Sequence, residues 1–175
     1  LGTAVGIFAD NGAIVTNTGT VETGDSGIAH FAGNGGVINT NGLNILADKS
    51  TIAMAGVGGT INYNNAGDVF VGNDERKGFA ADGGIVNLTG GKTVNVGNNN
   101  SVGIIIGSSG SVNNINSINV GNASTGVYVK DNSNYNIYYN IFLNDHSAGG
   151  ISGEGGMITL NSGISIISAP GVNET

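Results

Sequence analysis

The chain has 175 residues, with 33 Gly, one Pro, five Tyr, five Phe and neither Cys nor Trp, and only 10% of it is charged. Five Lys and Arg against twelve Asp and Glu leave a net charge of −7, which argues against nucleic acid and anionic membrane surfaces, since both demand clustered cations. Without cysteine there are no disulfides, zinc-thiolate sites or cysteine nucleophiles, and no apolar stretch approaches the length of a membrane span.

Glycine-rich, weakly charged chains are often disordered, but here Val and Ile recur at regular spacing, and disordered chains lack such core-forming side chains. A glycine that opens a short β-prone run serves as the ruler: Gly6, Gly27, Gly78, Gly103, Gly126 and Gly149, with Thr51 in the third place. The intervals are 21, 24, 27, 25, 23 and 23 residues. Such a period, with three short runs and three corners in each unit, predicts a right-handed parallel β-helix of about seven coils of about 24 residues.

The first coil, residues 5–25, offers Ile7 and Ala9, then Ala13-Ile14-Val15, then Val21, with Asp10-Asn11-Gly12 and Thr18-Gly19 at its corners. The second, 26–49, carries Gly27-Ile28, Val37-Ile38-Asn39 and Leu43-Asn44-Ile45, and the third, 50–76, carries Ile52 and Met54, Thr60-Ile61-Asn62 and Val69-Phe70-Val71. The fourth, 77–100, has Phe79 and Ala81, Ile85-Val86-Asn87 and Val94-Asn95-Val96. In the fifth, 101–122, the runs are Ile104-Ile105-Ile106, Val112-Asn113 with Ile115, and Ile118-Asn119-Val120. The sixth, 124–146, gives Val127 and Val129, Tyr135-Asn136-Ile137 and Ile141-Phe142-Leu143, and the seventh, 147–170, ends on Met157-Ile158-Thr159, Ile164-Ser165-Ile166 and Pro170. Pro170 is expected to stop the ladder, since it has no N–H to donate.

Side chains alternate along a strand, so in the third run Leu43 and Ile45, Val69 and Val71, Val94 and Val96, Ile118 and Val120, Ile141 and Leu143, and Ile164 and Ile166 are expected inside. Asn44, Phe70, Asn95, Asn119, Phe142 and Ser165 are expected outside. Asn39, Asn62, Asn87, Asn113 and Asn136, followed by Thr159, fall at equivalent places, either as a ladder of stacked amides or as plain corner asparagines.

Catalytic chemistry finds little footing. Glycoside hydrolysis needs two carboxylates on one groove, whereas the acids here are scattered, adjacent only at Asp74-Glu75. No GGxGxD series, phosphate loop or HExxH pairing occurs, and His30 and His146 lie far apart, so no catalytic residue, metal or cofactor is assigned. Asn73-Asp74-Glu75-Arg76-Lys77 falls in the longest interval and is expected to bulge, as a protruding contact loop or a solvated turn. Tyr128, Tyr135, Tyr138, Tyr139 and Phe142 crowd the sixth coil. Of these, Tyr128, Tyr138, Tyr139 and Phe142 are candidates for an aromatic contact surface, the competing reading being that some fill the core.

The pattern in Ser101-Val102-Gly103-Ile104 and Ser124-Thr125-Gly126-Val127, rich in Gly, Asn, Ser and Thr, resembles the passenger domains of Gram-negative autotransporters, closest in style to the very large adhesins of Fusobacterium. The resemblance implies a β-helical stalk exported through an outer-membrane barrel and displayed on the cell surface, with a host-cell protein, a glycan or another bacterium as partner. On this reading residues 1–175 are one solenoid segment of a longer passenger, anchored through a barrel outside the segment. The alternatives are a polysaccharide-processing β-helix enzyme whose catalytic coils lie elsewhere, and a spacer that binds nothing.

Overall fold

Runs of Val, Ile and Thr cut by Gly, Asn and Ser are too short for helices and fold as strands. The computed structural model describes residues 4–130, 132–145 and 147–168 and places nineteen strands in them. Coil one holds β1 (Val5–Ala9), β2 (Ile14–Asn17) and β3 (Val21–Thr23). Coil two holds β4 (Ile28–Ala32), β5 (Val37–Thr40) and β6 (Asn44–Leu46), and coil three β7 (Thr51–Ala55), β8 (Thr60–Tyr63) and β9 (Val69–Gly72). In coils four and five the second and third strands run together, giving β10 (Lys77–Asp82) with β11 (Ile85–Val96), and β12 (Val102–Gly107) with β13 (Ser111–Val120). Coil six holds β14 (Thr125–Val129), β15 (Asn134–Ile137) and β16 (Asn140–Leu143), and coil seven β17 (Gly149–Gly153), β18 (Met157–Leu160) and β19 (Ile166–Ser168).

The strands pair in parallel from coil to coil, without a break in the first sheet and with interruptions in the other two, and the chain is a right-handed parallel β-helix with coils about 23 residues apart. The first strands form one seven-stranded sheet in the order β1-β4-β7-β10-β12-β14-β17. Inside, His30, Ala53, Phe79, Ile104 and Val127 stand level in one vertical column, and Ile38, Ile61, Val86 and Val112 in another. The single core is therefore a stack of mostly apolar side chains that no coil could build alone.

The other two sheets are interrupted. Second strands stack from β2 through β5 and β8 to the first part of β11 and β13, but β15 pairs only with β18. Third strands pair as β3 with β6, then separately as β9, the latter parts of β11 and β13, β16 and β19. Among the described residues no ladder joins β6 to β9, or β13 to β15.

Three expectations need correction. The ruler slips, because Gly6 stands level with Ala29, Ile52, Gly78, Gly103, Gly126 and Gly150. Gly27 belongs to the corner just before, where a Cβ would press on Thr23 and the Gly24 carbonyl, and two small positions so close together are easily exchanged. Leu43 and Ile45 point outward, Leu43 being 62% exposed, because β6 takes its phase from β3, with Asn44 under Val21 and Leu46 under Thr23. Ile166 keeps the inward register of Ile141, as expected, with its side chain against Gly150. Finally, the extra residues of the long interval do not bulge at residues 73–77. Thr60 to Val69 and Ile85 to Val94 take nine positions where Ser111 to Ile118 takes seven, so the loops that swell are 64–68 and 89–91. Pro170 lies outside the described residues.

The amide ladder forms over four coils. Asn62 Nδ2 donates to Asn39 Oδ1 at 2.8 Å, Asn87 to Asn62 at 2.9 Å and Asn113 to Asn87 at 3.0 Å. It stops before Asn136, which pairs in register with Thr159 in the separate β15–β18 ribbon. A second rung, Asn119 to Asn95 at 2.8 Å, lies on the third strands.

Candidate functional site

The sixth coil's aromatics divide between inside and outside by strand alternation. In β15 and the bend after it, Tyr135, Ile137 and Tyr139 point inward while Asn134, Asn136 and Tyr138 point outward. Tyr139 is 6% exposed, so it belongs to the core and cannot serve an aromatic contact surface. Tyr135 Oη donates to the Val112 carbonyl at 3.0 Å, and the two tyrosine hydroxyls lie 3.2 Å apart, with Tyr139 the donor to Tyr135. Burial pushes the Tyr135 hydroxyl up to about 12 and that of Tyr139 well above the ordinary 10, because a phenolate has no water to stabilise it there. Both stay neutral, and Tyr135, held by Tyr139, ties coil six to coil five where the second-strand ladder is lost.

Tyr138 is 68% exposed at the rim of that interruption. Between β13 and β15 the surface sinks into a hollow of about 490 Å³ whose walls include Ser111, Asn113, Asn134 and Asn136, with Tyr135 and Tyr139 among the residues beneath. It combines an aromatic face, side-chain amides and main-chain edges that carry no ladder, a set able to receive a polar ligand with an apolar side.

The other two candidates lie elsewhere, because the three strands of a coil face different directions. Tyr128 projects from the first sheet, level with Ile105 and Ser152, and its hydroxyl donates to Glu154 Oε2 at 2.8 Å. Phe142 is half-buried on the third strand, level with Asn119 and Ile167. Tyr135 was not among the candidates, although its place between the inward Val112 and Ile158 marked it as the floor of this region.

The charged corner is stacked, not protruding. Asp74 and Glu75 adopt left-handed φ of 63° and 60°, their N–H groups donate to Asn98 and Asn99, and the Asp74 carbonyl accepts from Lys49. Glu75 pairs with Lys49 at 3.3 Å and Arg76 with Asp48 at 3.2 Å, while Lys77 begins β10. These exposed pairs contribute little stability, and the corner reads as a solvated turn in the ladder of corners.

Acidic residues meet in one open hollow, lined by Asp82, Gly107, Ser108, Lys130 and Glu154. Among the described residues no three His, Asp or Glu side chains gather as a metal site, and no helix is long and apolar enough to cross a membrane. His30 is fully buried; His146 lies outside the described residues. No family model matches the chain, and neither does any curated protein or solved structure.

Proposed function

We propose that the chain is a segment of a surface-displayed adhesin of the autotransporter kind, a β-helical rod that carries contact surfaces to host cells or to other bacteria. The observation that carries this reading is the unbroken seven-stranded first sheet, which makes a stiff scaffold, joined to the exposed Tyr138 and its asparagine-lined hollow. Rigid scaffolds bearing an exposed aromatic beside polar groups suit recognition. The net charge of −7 suits a rod that stays soluble, and the stacked Asn side chains tie successive coils together.

Beads coated with the purified chain test this against epithelial cells and against co-cultured bacteria. Adhesion above uncoated beads that falls severalfold in Tyr138→Ala and Asn136→Ala supports the reading; adhesion no better than bare beads leaves a spacer. The enzyme alternative puts its catalytic coils outside residues 1–175, so it requires that a longer protein containing this segment release reducing ends from polysaccharide while the segment alone releases none.

A further inference from the structure

The amide ladder of the second strands has a direction. At each rung Nδ2 donates to the preceding coil and Oδ1 accepts from the following one, from Asn62 on Asn39 through Asn87 to Asn113. In coil six Asn136 stands in register with Thr159 of coil seven, and no ladder joins β13 to β15. Asn113 Oδ1 is thus left without the amide that every earlier rung receives. Asn113 is exposed and lines the hollow between β13 and β15, so the ladder ends in an open acceptor on the wall of that hollow. Bonds in a chain polarise one another, and donation to Asn87 makes this oxygen the stronger acceptor.

Other groups complete the hollow. Asn134 and Asn136 are exposed on β15, each with an amide that both donates and accepts, and Tyr138, 68% exposed, adds an aromatic face. The volume of about 490 Å³ falls within the roughly 300–1,000 Å³ of small-ligand pockets. Beneath, the bonds from Tyr139 to Tyr135 and from Tyr135 to the Val112 carbonyl fix the floor, so its shape does not wait on a ligand.

The lining selects among ligands. None of its residues is charged, so it holds no cation for a carboxylate, sulfate or phosphate, and the net charge of −7 opposes such anions further. An ammonium group finds no carboxylate in it either. A peptide adding a strand to β13 needs that strand's main-chain acceptors, and the Val112 carbonyl is already taken by Tyr135. A wholly apolar ligand would desolvate the amides and leave them unpaired. These exclusions leave a neutral ligand with donors, acceptors and an apolar side. We infer that the hollow binds a neutral oligosaccharide, the apolar face of one ring on Tyr138, with hydroxyls donating to Asn113 Oδ1 and accepting from the Asn136 amide. The inference rests on the contact surface proposed above and names what that surface takes.

The test screens the labelled whole chain on an array of neutral, sialylated and sulfated oligosaccharides and titrates the hits by calorimetry. At least one neutral oligosaccharide is expected to bind with millimolar or tighter Kd, and its sialylated or sulfated forms more weakly. Tyr138→Ala and Asn136→Ala should each weaken binding by roughly tenfold. Tyr138→Phe, which keeps the ring, and Phe70→Ala, on coil three, leave it unchanged. All three positions are exposed, so these variants keep the fold, as circular dichroism will verify. The inference is overturned if no neutral oligosaccharide binds at tens of millimolar, if acidic ones are preferred, or if binding is indifferent to both alanine variants. Coated beads that adhere to cells while no oligosaccharide binds overturn it and leave the adhesin reading with a protein partner. Oligosaccharide binding without adhesion upholds it and removes the adhesin reading instead.

Discussion

Single side chains here act through their vertical neighbours. Asn62 both donates to Asn39 and accepts from Asn87, so Asn62→Ala removes two bonds and is expected to cost about 1–2 kcal/mol. Asn39→Ala removes one ladder bond and about half as much, and urea unfolding with an unchanged m-value distinguishes the two. His30 shows the same dependence on the coil below: its Nδ1–H donates to the Ile52 carbonyl at 3.2 Å, leaving Nε2 to face the Asn17 amide at 3.5 Å. Burial holds its pKa below the ordinary 6.5, and the Ile52 bond offsets this only in part. The folded protein thus takes up the proton less readily than the unfolded chain. Stability is full above pH 6.5 and falls as pH drops from there toward the lowered folded value. Chemical denaturation between pH 7.5 and 5 should show this decline in the wild type and a shallower one in His30→Gln.

At the scale of the strand and its corner, the constraint is the close approach of one coil to the next. Before the second strand, Gly36, Gly59, Gly84 and Gly110 occupy equivalent positions, and at each an added Cβ would overlap main-chain atoms of the preceding coil. Gly84→Ala is therefore expected to lose about 1–3 kcal/mol, the range for overpacking. Gly24→Ala, where the space is open, should stay within about 0.5 kcal/mol. Thermal melts of the two variants check the contrast. Such elements were legible in the sequence wherever alternation was unambiguous: Val69 and Val71, Val94 and Val96, Ile118 and Val120 are all buried as period two requires. The second coil was not, because Leu43, Ile45 and Leu46 offer apolar residues in both phases, and pairing with β3 decides between them. Both interruptions escaped the sequence too. They depend on how one coil meets its neighbour, and the amide ladder's end at Asn113 has no counterpart in composition, since Asn136 continues the pattern without continuing the stack. Tyr139 was misplaced for a local reason: a tyrosine with an inward hydroxyl partner looks no different in sequence from its exposed neighbour Tyr138.

On the scale of the whole molecule, stability is the sum of each coil and its contacts with the coils beside it. Removing a coil in register should then shorten the rod without destroying it. Lys77 stands level with Val102, and Gly78 with Gly103, so deletion of residues 78–102 joins Lys77 to Gly103 with every inward column still in phase. β7 then receives β12 in place of β10, with Ala53 against Ile104 and Ala55 against Ile106, in the register that Phe79 and Ala81 now supply. This protein should retain a β-sheet circular dichroism spectrum and a cooperative melt, and lose about 4.8 Å of length, one interstrand spacing, in small-angle scattering. Deletion of residues 78–89 alone removes about half a coil, setting second-strand residues against first-strand ones and turning corners into the core. That shorter deletion should be the more damaging of the two, yielding an unfolded or aggregated chain. A globular domain with long-range contacts throughout would show the opposite ranking, because there the larger excision removes more of the core.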